Sequence, residues 1–101
     1  MLAAFSIAPT GAAADETGSV AEAVAAAVRV VRESGLPNET NAMFTNVEGE
    51  WDEVMAVVKA AVDAVAAVSP RVSLVLKADI RPGYTGQLTA KVDRVEQALR
   101  D

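Results

Sequence analysis

Twice along the 101-residue chain an extended stretch of strand length leads into one with helical spacing and then back into extended sequence. This doubled order limits the possible folds more than any other feature. Leu2 to Ala8 is the first run, with Ser6 as its only polar member, and Pro9 is expected to end it. After the linker TGAAADETG, Ser19 stands three residues before Glu22, the spacing of a capping box, so a helix is expected from Ser19. Val20, Val24, Ala27, Val28 and Val31 recur along it, and Gly35, Leu36 and Pro37 stop it after about four turns. Residues 38 to 48 read as extended. A tight hairpin turning near Asn41 to Met43 and a single kinked strand both fit, and the hairpin is the expectation although no glycine is present for a primed turn.

The second half repeats the order. A helix is expected from about Glu50, with Glu50, Asp52 and Glu53 in the first turn, where carboxylates interact favourably with free amides and the positive end of the dipole. Trp51, Val54, Met55, Val58, Val62 and Val65 follow at helical spacing, with Trp51 expected in the core, and Ser69-Pro70 end the helix. In RVSLVLKADIR, Val72, Leu74, Leu76, Ala78 and Ile80 face one way and Ser73, Val75, Lys77, Asp79 and Arg81 the other, as in a strand with one apolar face. After PGYTG, Leu88, Val92, Val95 and Leu99 mark a final amphipathic helix. Two strand-helix-strand halves with right-handed crossovers give an α+β fold, a ferredoxin-like βαββαβ sandwich over residues 1-101, with an additional C-terminal helix. The sheet keeps one open face, and oligomerisation through that face is the economical way to cover it.

Composition narrows the chemistry. Hydrophobic residues make up 51% but aromatics only 4%, so the core must be built from Val and Ala in thin, closely packed layers. With a net charge of -5 and no basic cluster, nucleic acid and anionic membranes are not expected partners. No apolar run approaches the roughly 20 residues that span a bilayer, and the N-terminal stretch lacks the basic region of a secretory signal, so a cytoplasmic protein is expected. Cysteine and histidine are both absent. That removes thiol chemistry, the commonest metal ligands and every Ser-His or Cys-His arrangement. No catalytic residue and no metal ligand is assigned.

The remaining polar features are weighed one at a time. The carboxylate pairs Asp15/Glu16, Glu48/Glu50 and Asp52/Glu53 read as solvated charge or helix-end partners. Lys77 beside Asp79 reads as a cross-strand ion-pair partner. GYTG lacks the strand-to-helix context of a phosphate loop. Ser6 and Thr45 differ, because a hydroxyl on an inner strand must find a partner or lose about 1 to 3 kcal/mol on desolvation. A neighbouring backbone group, interfacial water or a ligand could each be that partner.

FSIAPTG at residues 5 to 11, SV opening the first helix, ESGLP closing it, MFTNVEGEWDEVM and KADIR together resemble the small thiamine-binding protein family, also described as YkoF-like. The resemblance runs in order from Met1 to about Leu99. It implies a ferredoxin-like domain that binds thiamine or hydroxymethylpyrimidine without catalysing a reaction and assembles into dimers or tetramers. Members usually read Pro-Met-Gly-Thr where this chain has Ala42-Met43-Phe44-Thr45, so Met43 and Thr45 carry over and Phe44 adds a bulky ring. Ser6 matches the family's strand-one serine. A pyrimidine needs in-plane donors and acceptors, which Ser6, Asn41 and Thr45 could offer, and an apolar slab such as Met43, Phe44 or Trp51. A thiazolium cation would be favoured by an aromatic face or by Glu48. The expectation is a ligand-binding protein of vitamin B1 salvage with no cofactor. An oligomeric interaction module without a small ligand is the alternative, and an enzyme of the same fold comes third because His and Cys are missing.

Overall fold

The computed structural model describes residues 1–10 and 19–101, with side chains in the first helix from residue 21 onward. The Ser19 cap and the Asp15/Glu16 pair fall outside that description. The elements are β1 (Leu2–Thr10), α1 (Ser19–Glu33), β2 (Asn38–Thr40), β3 (Thr45–Glu48), α2 (Trp51–Ala66), β4 (Arg71–Asp79) and α3 (Gln87–Arg100). The four strands form one sheet in the order β2-β3-β1-β4, every neighbouring pair antiparallel. This is the ferredoxin-like order, with each crossover helix returning its strand to the far side of a strand from the other half. The expected hairpin is present as β2 and β3, and Asn41 rather than a glycine makes its turn.

Alternation along β1 puts Ala3, Phe5, Ile7 and Pro9 on the buried face. There they meet Ala23, Ala27 and Val31 of α1, Val47 of β3, and Val54, Val58, Ala61 and Val65 of α2. Small and β-branched side chains let the two helices lie close over the sheet, which is how a chain with few aromatics reaches a dense interior. At the start of α2 the Glu53 carboxylate accepts a hydrogen bond from the Glu50 amide at 3.0 Å, so the acidic first turn does serve the helix end. Trp51, however, is 52% exposed rather than in the core. It is the first residue of α2, and the inward face of the helix begins only at Val54.

Pro9 does not end β1. The strand runs to Thr10, and Pro9 is buried within it opposite Val72. The register explains why it is tolerated. β4 pairs with Leu2 through Thr10, whereas β3 pairs only with Leu2 through Phe5, so beyond Phe5 the strand has a partner on one side alone among the described residues. A proline fits a strand where its missing N–H would point to such an edge.

The apolar face read in β4 lies on the helix side, Val72, Leu74, Leu76 and Ala78 opposing Pro9, Ile7, Phe5 and Ala3. Because β4 is the edge strand, Leu74 is still 42% exposed. Asp79 pairs with Lys91 of α3 instead of a neighbour in the sheet, and α3 has no buried residue. Its first turn docks on the end of β3, while Val92, Val95 and Leu99 are exposed. No helix among the described residues is long and apolar enough to cross a membrane.

Candidate functional site: a neutral pocket between the first helix and the hairpin

Where β3 stops at Thr45 and β1 continues, the sheet leaves a notch, and α1 lies across it. The resulting pocket has a volume of about 160 Å³. Phe5, Ile7, Val24, Ala27 and Val28 form its apolar side, and Thr40 to Thr45 close the other. Five of the seven residues singled out in the sequence, Ser6, Asn41, Met43, Phe44 and Thr45, line this one pocket.

Their roles differ from one another. Thr45 is buried beside Phe5 and faces its register partner Thr40, with 3.5 Å between the two hydroxyl oxygens. Hydroxyl pairs normally sit near 2.7 to 2.8 Å, so this contact is weak and leaves the Thr45 hydroxyl free to bond something better placed. Asn41 is committed to the chain itself. Its Oδ1 accepts hydrogen bonds from the amides of Met43 and Phe44, both at 2.9 Å, and its own amide donates to the Phe44 carbonyl at 3.0 Å. The side chain thus replaces the glycine that the turn lacks. Met43 stands out at the tip, 73% exposed, and Phe44 is half-buried against the pocket. Ser6 alternates to the sheet face it shares with Ala4 and Ala8, opposite Val75, so the wall it offers the pocket is main chain.

Glu48 and Trp51 are not part of this pocket. Glu48 is buried, and its carboxylate accepts hydrogen bonds from the amides of Gln87 at 2.9 Å and Leu88 at 3.0 Å. It caps α3 from a position 39 residues away in sequence, satisfying two of the orphan amides of that helix end. GYTG therefore does lie between a strand and a helix, contrary to the reading from sequence, but a carboxylate of the chain already occupies the anion position there. Trp51 is exposed at the start of α2. Neither residue lines the pocket, and the lining residues among those described are uncharged.

Comparison with known proteins adds the family. The model of a family described as thiamine-binding protein matches residues 3–96. The chain belongs to the thiamine-binding protein family. A UPF0045 protein of Mycobacterium bovis is 56% identical over 100 residues, covering 98% of this chain and 94% of that protein. Among solved structures, a Bacillus cereus domain of unknown function shares 33% identity with a TM-score of 0.78, covering 90% of this chain and 85% of that one. A Thermotoga maritima protein whose name proposes thiamine biosynthesis or salvage shares 26% identity with a TM-score of 0.78, covering 93% and 96%. The two solved structures share the overall fold of this chain.

Proposed function

We propose that this chain is a non-catalytic binding protein for thiamine or its hydroxymethylpyrimidine half, acting as a carrier, buffer or sensor in vitamin salvage in the cytoplasm. The observation that carries the reading is the gathering of Thr45, Phe44 and β1 around one pocket, uncharged among its described lining residues, in a member of the thiamine-binding family. Its size supports a single ring. The pocket measures about 160 Å³, and a cavity of about 150 Å³ takes a benzene ring. The pyrimidine would enter against Phe5, Val24 and Val28, with the Thr45 hydroxyl at its edge, and the thiazolium would extend toward the hairpin tip. With no cation among the described lining residues, a diphosphate gains nothing from them.

Self-association is part of the same proposal. The exposed stripe of α3 and the uncovered sheet face would bury one another between copies, giving a dimer or tetramer.

Titration calorimetry on two variants tests the ligand site. Thr45→Val keeps the shape and removes the hydroxyl, so thiamine affinity should fall by about tenfold, the cost of a lost ligand hydrogen bond. Glu48→Gln should leave affinity within about twofold, a margin well below one hydrogen bond. Equal affinity in wild type and Thr45→Val would remove Thr45 from the site.

A further inference from the structure

A second cleft opens at the start of β1, at the end of the strand away from Thr10, between the beginning of α2 and the first turn of α3. Its volume is about 350 Å³, within the range of small-molecule sites. Met1, Leu36, Pro37 and Leu88 give it apolar walls, and Glu50 and Glu53 stand beside them. The charge in the cleft is one-sided. Glu48 also lines it, but its carboxylate is already held by the amides of Gln87 and Leu88. Glu53 accepts from the Glu50 amide through Oε1 at 3.0 Å, a bond that leaves the charge of the carboxylate in place. All nine Lys and Arg residues of the chain lie among the described residues, and the ion pairs they form are Lys59–Asp63 and Lys91–Asp79. Glu50 and Glu53 therefore have no basic side chain against them. The positive group in the described lining is the Met1 ammonium, which donates to the Gly49 carbonyl at 2.8 Å, while Arg81 beyond the cleft lies over the Tyr84 ring, 3.6 Å from its centre.

We propose that this cleft is a second binding site, separate from the notch under α1, and that its occupant is a small organic amine with an apolar body and an ammonium at one end. The body displaces water from Leu36, Pro37 and Leu88, and the ammonium meets the two carboxylates that the chain leaves without a cation. An anion of the same shape meets like charge there and is rejected. The site also has a mechanical consequence, because its walls come from two sides. Leu36, Glu50 and Glu53 belong to the body of the domain, and Leu88 belongs to α3. That helix has no buried residue and is tied to the body by Glu48 at its first turn and by Asp79 through Lys91. A segment with so little buried surface opens more easily than the core. A ligand that touches both walls binds the docked arrangement alone, and so holds α3 against the body.

Amide NMR titration of the whole chain with tryptamine as the probe tests this, with indole-3-propionate, the same ring on a carboxylate-ended chain, as the control. Tryptamine should saturate and shift the amides of Gly49, Glu53 and Leu88, and indole-3-propionate should bind at least about tenfold more weakly, since it sets like charge against like. In the double variant Glu50→Gln with Glu53→Gln, glutamine keeps a capping oxygen and removes the charge. Tryptamine affinity should fall about fivefold there, the sum of two exposed charge pairs. Hydrogen exchange of the α3 amides should slow on saturation with tryptamine. Saturating hydroxymethylpyrimidine should leave tryptamine affinity unchanged, which keeps this site and the notch distinguishable. No saturable tryptamine binding, equal affinity for the cation and the anion, or shifts that avoid the cleft would overturn the proposal on wild type alone, and competition with hydroxymethylpyrimidine would overturn its separateness from the notch.

Discussion

Glu48 shows how far one residue's role can be set by distant sequence. Read locally, it is an acid at the end of a strand and a candidate counter-ion for a thiazolium. In the fold it is a buried carboxylate held by two amides of α3. Glu48→Ala should therefore destabilise the protein by about 1 to 3 kcal/mol, because it leaves buried donors unpaired. Chemical denaturation measures this, and an unchanged midpoint would contradict the capping role. Asn41 is the converse case, since its part is local and an Asn at a turn without glycine is itself a signal. Asn41 and Thr45 could be picked out because polar residues in short extended segments stand out against an apolar chain. Glu48 and Trp51 lie away from the pocket because their surroundings are fixed by α3 and by the rotation of α2, and neither is encoded within a few residues of them.

At the scale of elements, helical and strand periodicity carried most of the architecture. Valine and alanine at helical spacing define α1 and α2, and alternation defines β4, so the doubled order was readable before any contact was known. The extent of β1 was not. A proline is a reliable strand terminator only where its amide is needed, and the short β3 removes that need at Pro9. α3 was legible as a helix but not its placement, which depends on its docked first turn and the Lys91–Asp79 ion pair. The Lys91 ammonium beside Asp79 holds that carboxyl below its ordinary range. A carboxyl with a lowered folded-state pKa stabilises above its unfolded value and loses that contribution as pH falls through the folded one. Acid unfolding followed by urea titration should accordingly show wild type losing an increment of stability below the ordinary carboxylate range that Asp79→Asn lacks. Parallel losses in the two proteins would exclude the ion pair as an acid-sensitive tie.

The whole molecule is more extended than its length requires. Its radius of gyration is 15.1 Å with extents of 50 × 30 × 20 Å, against about 13 Å for a compact chain of 100 residues. The C-terminal amphipathic helix has no buried residue, and its stripe of Val92, Val95 and Leu99 is what a second copy would cover. Val92→Glu with Val95→Glu should shift sedimentation from a dimer or larger species to the monomer, whereas a monomeric wild type would leave the stripe without this partner. The account as a whole turns on whether the notch beside β1 is a ligand site. The most direct measurement is calorimetric titration of folded wild-type protein with thiamine and with hydroxymethylpyrimidine, alongside thiamine diphosphate. Saturable binding of the first two at about one ligand per chain, with no advantage from the diphosphate, is the result predicted for a neutral single-ring pocket. No saturable heat with any of the three would contradict it.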